Sequence, residues 1–547
     1  MKENKKGKVL LVGAEDEENL AIRYLGAELI RNGNQVKIAG CSNYQMFKNV
    51  LDEFESFQPD MVAVSMAFQS MAIMFLDLIQ EIKQIKPEVH ITVGGHFPTF
   101  EYEKILKYGA IDSVIRFEGE EAISTLIDAV INRENLINVP NLVYRSQDGS
   151  FHENSLLNEF PDLDNLAFPV REKTPQIRLG ERFSTLVSSR GCFHSRCIYC
   201  CIGAFHKPKT GLPYTLRTPE NVAQEMAELY KKNNVRLFQF HDDNFLLPST
   251  KSSYDRLNSL RKSLIKEKVN LDDIALLIKT RPDGISEEIL TLLEELGAVG
   301  VFLGVENASD SGLKSLARAA TMDDVNYSLQ LLKNFDMGVT FNLLMFHPRA
   351  TLEEINENIY FMNKNKEMAF DFGRAEIVAG SPLERLVKRK GLLMGDWPHW
   401  DYRIQDDATE KMFRINALTF YRDQSPYPEL SHKLIALSYR SELLQRFYPG
   451  KKAQKLKNEA LNRIQTCNEF TLECLLDIYR MVPETGIEEK LEILANKMDQ
   501  CYGDSSKNVD KLTEKIWRFQ VLGKKFQEQG VDDYLQDSAT IGKIFRI

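Results

Sequence analysis

The sequence predicts an α/β protein with three parts: an N-terminal doubly wound, Rossmann-like domain, a partial (β/α)6 TIM-like barrel, and an α-helical C-terminal domain. Three observations predict this. Short apolar runs alternate with helical stretches from Lys8 to about Asn132, and the same rhythm returns with longer spacing from Ser184 to about Val378. After about Trp400 the apolar runs of strand length stop and only helical periodicity remains. A chain of 547 residues is too long for one hydrophobic core, which agrees with several domains.

The first five strands are read at KVLLVG (8–13), QVKIAG (35–40), MVAVSM (61–66), HITVGG (90–95) and DSVIRF (112–117). Helical spacing separates them, as in AIRYLGAELIRNG, which stops at Gly33, and AISTLIDAVIN, which opens after the acidic Gly119 to Glu121. Such a sheet binds ligands at the carboxyl ends of its strands. The stretch VPNLVYRSQDGSF reads as a small hairpin turning at Asp148 and Gly149, and the Pro- and Asp-rich EFPDLDNLAFPV reads as a connector.

Six further strands are expected at 184–190, 235–242, 274–280, 299–306, 338–345 and RAEIVAG (374–380), with helices such as NVAQEMAELYKKN and EEILTLLEELG between them. The expected boundaries are 1–137 for the first domain, 138–172 for the linker with its hairpin, 173–400 for the barrel and 401–547 for the helical domain.

The net charge of −9 argues against a broad nucleic-acid footprint. No stretch approaches 18 consecutive apolar residues, and the apolar run after the basic start is too short for a signal peptide, so a cytoplasmic protein without membrane contact is expected. A reducing compartment turns the reading of clustered cysteines from disulfides to metal.

Four of the eight cysteines lie within ten residues, in LVSSRGCFHSRCIYCCIGAF. Three thiolates on a [4Fe–4S] cluster leave one iron open to an exchangeable ligand, whereas four would close it. A structural zinc site is the competing reading, with His194 or His206 completing it, but no second Cys-x-x-Cys recurs. Adjacent acids at a strand end, Asp242 and Asp243 in HDDNFLLP, suit a cationic ligand; the alternative is an Asp that caps the next helix. Arg281 in KTRPDGI suits a carboxylate, or else a structural pair with a nearby acid.

The cysteine loop after a strand resembles that of the radical S-adenosylmethionine superfamily. The family's spacing leaves three and then two residues between cysteines; here there are four and then two. The resemblance implies that Cys192, Cys197 and Cys200 hold the cluster, with Cys201 the alternative to Cys200. It implies that Tyr199 packs against the adenine, and that Asp242, Asp243 and Asn244 belong to a cofactor-binding segment. It also implies that Glu306 in FLGVENASD contacts S-adenosylmethionine, although Asn307 stands where the family has Ser. VAGSPLERL (378–386) resembles the family's last barrel loop, with Ser381 for Thr. MFHPRATLEE (345–354) lacks both glycines of the corresponding turn, so no role is carried over to it.

A doubly wound domain ahead of such a barrel resembles the cobalamin-binding class of this superfamily, over about residues 8–400. The Asp-x-His-x-x-Gly motif is missing, consistent with cobalt that lacks a protein histidine. By position Gly94, Gly95 and His96 should line the nucleotide tail, Ser65, Met66, Phe68 and Gln69 should approach the corrin's lower face, and Glu118, Gly119 and Glu120 should lie at the far edge. A doubly wound domain without a ligand is the alternative.

With cobalamin, S-adenosylmethionine and the cluster, the implied reaction is methyl transfer to an unactivated carbon of a small-molecule or natural-product substrate, driven by an external flavodoxin- or ferredoxin-type reductant. Rearrangement or cyclisation on the same scaffold and a non-catalytic cobalamin sensor are the alternatives.

Overall fold

The computed structural model describes residues 6–146 and 149–524. In chain order the strands are β1 (Lys8–Gly13), β2 (Gln35–Gly40), β3 (Met61–Ser65), β4 (His90–Gly94), β5 (Ser113–Ile115), β6 (Leu142–Arg145), β7 (Phe151–Glu153), β8 (Ile177–Arg178) and β9 (Glu181–Leu186). They continue with β10 (Ser189–Gly191), β11 (Tyr214–Leu216), β12 (Leu237–Phe240), β13 (Ala275–Thr280), β14 (Ala298–Glu306), β15 (Gly338–Phe346), β16 (Ala369–Arg374), β17 (Leu393–Asp396) and β18 (His399–Tyr402).

The chain forms two compact units. The first comprises residues 1–173, 189–217 and 376–402, and the second residues 174–188, 218–375 and 403–547. In the first unit a seven-stranded sheet runs β2-β1-β3-β4-β5-β6-β7. β1 to β5 are parallel, and the expected hairpin adds β6 and β7 antiparallel at one edge. Asp148, expected at that hairpin's turn, lies outside the described residues; Gly149 beside it has φ +83°.

Strand alternation makes this sheet two-faced. Leu10, Val12, Val62, Val64, Ile91 and Val93 share one core with Phe54 and Phe75 from the helices Phe47–Phe57 and Ala72–Ile85. Val9, Leu11, Met61 and Ala63 share the other with Leu29 and Leu126 from Leu20–Arg31 and Glu120–Asn132. A layer of helix on each face is what near-continuous apolar strands require.

In the second unit the sheet order is β16-β15-β14-β13-β12-β9-β8. Its six strands β9 and β12 to β16 pair in parallel and β8 adds an antiparallel edge, giving the half-barrel. The last parallel strand is AFDFGR, not RAEIVAG. Ala375, Ile377 and Ala379 are buried while Glu376 is exposed, a period-two pattern that lies outside any strand although the Ala375 N–H still donates to Phe346 O at the end of β15; this is why the sequence imitates a strand there.

The described residues after Tyr402 form four helices, 407–419, 427–447, 451–481 and 488–524; the end of the expected helical domain lies outside the described residues. Tyr427–Phe447 is buried almost all round, polar residues such as Lys433, Arg440 and Glu442 included, and its Tyr439 hydroxyl bonds the Thr340 hydroxyl on β15. Among the described residues no helix is long and apolar enough to cross a membrane.

Candidate active site

In the first unit the cysteines sit on a stem-loop. β10 and β11 form its stem, pairing Ser189 with Leu216 and Gly191 with Tyr214. Cys192 and Cys200 are half-buried and Cys197 is buried. The Cys200 N–H donates to Cys197 O at 3.2 Å, so Cys-Ile-Tyr-Cys forms a tight turn that holds Tyr199 half-buried. Ser195, inside the longer first gap, takes a left-handed φ of +44°. Cys201 instead begins the short helix Ile202–Phe205, whose Phe205 N–H donates to the Cys201 carbonyl. The Leu383 N–H, in the segment resembling the last barrel loop, donates to Ile198 O at 2.7 Å. Among the described residues no three His, Cys, Asp or Glu side chains converge as a metal site.

The carboxyl ends of β3 and β4 lie in the same unit. Ser65, Gly94, Gly95 and His96 are half-buried there, and Phe68 is 46% exposed. Gly95 has φ +108°, and a Cβ on it would stand 2.9 Å from the Met66 carbonyl, so this crossing requires glycine. Met66 buries its side chain in the core and offers this edge only its backbone. The Gln69 amide is engaged by the chain: it donates to Ile377 O at 2.8 Å and accepts from Ala379 N at 3.1 Å.

Glu118 and Glu120 turn their carboxylates to Arg190 in the stem, with contacts of 2.6 and 2.7 Å. Burial holds the Glu118 pKa above the usual carboxylate range; at Glu120 burial is outweighed by the Arg190 charge together with hydrogen bonds from Arg190 and the backbone, so its pKa is lowered. Burial, then the charges of His96, Arg190 and Lys209, push His206 down to about 3, so it is neutral. Nothing local in the sequence tied Glu118 to Arg190, because the pair is 72 residues apart.

In the second unit the polar residues at the strand ends mostly hold one another. Asp242 is 1% exposed and accepts from the Ser188 N–H at 3.1 Å and its hydroxyl at 2.7 Å. Arg256, not singled out from the sequence, donates to Ser188 O. Asn244 Oδ1 accepts from the Arg281 N–H at 2.9 Å, joining two strand ends. Arg281 is buried and forks onto Asp283 at 2.9 and 2.7 Å, the structural pairing that was the alternative for it. Ser249, not an Asp, caps the helix Thr250–Lys266. Asp243 is half-buried.

Glu306 ends β14 with φ +68°, a conformation costing a non-glycine residue about 1–3 kcal/mol and characteristic of functional positions. Its Oε1 lies 3.9 Å from Arg318, and its buried Oε2 has no hydrogen-bond partner. Asn307, where the family has Ser, is fully buried, and its Oδ1 accepts from Ser309 N, Ser309 Oγ and Asn358 Nδ2 at 2.9–3.2 Å. A Cβ at Gly312 would lie 2.1 Å from Asn307 Oδ1, so the larger Asn fits only because position 312 is glycine.

A doubly wound domain whose strand-end ledge leaves an aromatic open, together with a half-barrel and a three-cysteine loop, defines a radical S-adenosylmethionine protein with a cobalamin domain. Residues 8–127 match the B12 binding domain family and residues 186–361 match the Radical SAM superfamily. The chain is 23% identical over 393 residues to an uncharacterized methyltransferase of Pyrococcus horikoshii, covering 71% of this chain and 79% of that protein. It is 24% identical to the anaerobic magnesium-protoporphyrin IX monomethyl ester cyclase of Synechocystis (60% of this chain, 64% of that protein). It is 23% identical to the hopanoid C-3 methylase of Methylococcus capsulatus (60% and 61%). The chain thus spans less than two thirds of the cyclase and of the hopanoid methylase. The solved cobalamin-dependent S-adenosylmethionine radical enzyme OxsB shares the fold, with TM-score 0.67 and 18% identity over 98% of this chain and 84% of that one.

The chain belongs to the cobalamin-binding class of radical S-adenosylmethionine enzymes, and its cofactors are cobalamin, S-adenosylmethionine and a [4Fe–4S] cluster. The residues present fit these groups. Three thiols within nine residues of irregular loop are a cluster donor set, the exposed Phe68 beside Gly94 and Gly95 suits a large flat ligand, and the unpartnered Glu306 oxygen suits a hydroxyl or ammonium group.

Proposed function

We propose that the chain is a methyltransferase acting on an unactivated carbon of a small-molecule or natural-product substrate. The observation that carries this reading is a B12-binding domain joined to a Radical SAM domain in a chain whose relatives include a methyltransferase and a hopanoid C-3 methylase. When bound, the cluster would supply the electron that splits S-adenosylmethionine, and cobalamin would carry the methyl group to substrate.

The chain's residues then have separate tasks. Cys192, Cys197 and Cys200 hold the cluster, while Cys201 starts a helix. Asp243 and Glu306 meet S-adenosylmethionine. Asp242, Asn244 and Arg281 hold the strand ends that present it, since their side chains are already bound to Ser188, Leu246 and Asp283. Ser65, Phe68, Gly94, Gly95 and His96 line the cobalamin, with Met66 and Gln69 bracing them. A flavodoxin- or ferredoxin-type protein supplies the electron.

Product stoichiometry tests the proposal. Anaerobic reconstituted enzyme is given a reductant, a small-molecule extract and S-adenosylmethionine deuterated in its methyl group. A methylase forms a deuteriomethylated product with equal amounts of S-adenosylhomocysteine and 5′-deoxyadenosine. The cyclase relative favours a second reading, rearrangement or cyclisation. That reading gives 5′-deoxyadenosine without S-adenosylhomocysteine, an outcome that overturns methyl transfer.

A further inference from the structure

We infer that the turn Glu118–Gly119–Glu120 clamps the root of the cysteine loop, making Glu118 and Glu120 positioning residues that act on the cluster ligands through Arg190. The inference rests on the proposed ligands Cys192, Cys197 and Cys200.

The stem of the loop is only three residue pairs long, too short to hold a loop by its own ladder. What fixes it is a set of buried side chains. Arg190 spreads its guanidinium between two carboxylates, Nη1 to Glu118 Oε2 and Nη2 to Glu120 Oε1, and lies 5.3 Å from the Tyr24 ring centre. Arg217, just past the other stem strand, donates to the same tyrosine's hydroxyl at 3.3 Å and lies over Phe168. Beyond the cysteines, Phe205 packs on Phe117 at 5.5 Å and on His96 at 4.5 Å, and His206 Nδ1 lies 3.8 Å from Glu118 Oε1. The entrance and the exit of the cysteine segment therefore both rest on residues 117–120.

That run is held in place by its surroundings. Phe117 takes a left-handed φ of +60°, and its N–H donates to Thr99 Oγ1 at 2.9 Å. From behind, the Asn141 side chain donates to Glu118 O at 2.8 Å. A strained phenylalanine persists only where the neighbouring structure over-determines it.

The clamp also carries surplus polar capacity. Glu118 Oε1, Glu120 Oε2 and His206 Nδ1 are buried without hydrogen bonds. Two carboxylates on one guanidinium are more than a stem needs for stability, since buried ion pairs contribute little net stability over apolar packing. They do fix direction: a planar fork held at both tines defines the orientation of Arg190, and Cys192 follows two residues later.

The test uses full-length protein. In the iron-free chain, iodoacetamide alkylation of Cys192 and Cys200 is followed by mass spectrometry, with the half-buried Cys501 as internal reference. Arg190→Lys keeps the charge but loses the fork, and the double variant Glu118→Gln/Glu120→Gln keeps the shapes but loses both charges. The clamp predicts at least ten-fold faster alkylation of the two loop thiols in both variants, with Cys501 unchanged. A rise below two-fold, or an equal rise at Cys501, overturns it. In iron-loaded protein, Glu120→Gln should keep the native iron content yet alter the reduced cluster's paramagnetic spectrum and its response to S-adenosylmethionine; an unaltered spectrum overturns the positioning role. If the native chain takes up no cluster, the proposed ligands fail, while the alkylation ratios still decide the clamp.

Discussion

At the carboxyl ends of β3 and β4 the first sheet leaves Phe68 exposed and Gly94, Gly95 and His96 half-buried, with few side chains that could reach a ligand. At the ends of β12, β13 and β14 the second sheet buries Asp242, Asn244, Arg281 and Glu306, and binds the first three into a hydrogen-bonded scaffold. An open ledge of backbone and aromatic surface suits a large rigid cofactor that brings its own shape. A scaffold of buried charges suits a small flexible one that must be oriented by a few fixed contacts. The difference also separates residues that touch a ligand from residues that hold those that do.

Mutations can break or sharpen that comparison. The largest effect belongs to neither sheet: replacing Cys192, Cys197 or Cys200 by Ala should abolish cluster formation by iron count and 5′-deoxyadenosine production, whereas Cys201→Ala should keep both. Full activity in Cys200→Ala with loss in Cys201→Ala would exchange the third ligand.

Next comes the second sheet's scaffold. Asp242→Ala strands the buried Ser188 N–H and hydroxyl and should cost about 2–4 kcal/mol by denaturant titration. Asp243→Asn should leave stability within about 0.5 kcal/mol and weaken S-adenosylmethionine binding instead. Equal destabilisation by the two would erase the division between scaffold and contact. Asn307→Ser, which restores the family's residue, should destabilise by roughly 1–3 kcal/mol, because Asn358 and Ser309 lose their acceptor.

In the first unit, His206 is held neutral by burial, with a pKa near 3 against about 6.5 in the unfolded chain. Above pH 6.5 neither state binds the proton and His206 has no effect. As pH falls below 6.5 the unfolded chain takes up a proton that the folded chain refuses, so stability drops by about 1.4 kcal/mol per pH unit towards pH 3. His206→Leu should flatten that acid limb in urea titrations between pH 7 and 5. The smallest effect is expected at the open ledge: Phe68→Ala should change stability by less than about 0.5 kcal/mol. It should weaken cobalamin binding several-fold, read by titration of the full chain.

Much of this was legible in the sequence, because strand and helix periodicity are local. β1, β2 and β13 to β15 fall within a residue of the runs read from the pattern. The last barrel strand was misread because Ala375, Ile377 and Ala379 alternate with more exposed neighbours without joining a sheet. Spacing and strand position single out Cys192, Cys197, Cys200 and Glu306 as candidates. The partners of Asp242, Arg281 and Glu118 were not legible, since a carboxylate's spacing does not say whether it faces a ligand or an arginine 72 residues away. The φ of Glu306 had no signal either, because no glycine marks it.

Each compact unit is assembled from three separate stretches, and the chain passes between the units five times. This bears on synthesis, because domains ordinarily fold as units in the order they leave the ribosome. Here the first 173 residues emerge with contacts still missing: Glu118 and Glu120 wait for Arg190, and Glu101 waits for the Trp397 indole. The last stretch of the first unit ends at Tyr402, so that unit completes only after residue 402 has been translated. Truncation at the end of the first sheet would leave buried carboxylates without their cations. Such fragments should be prime substrates for chaperones and proteases.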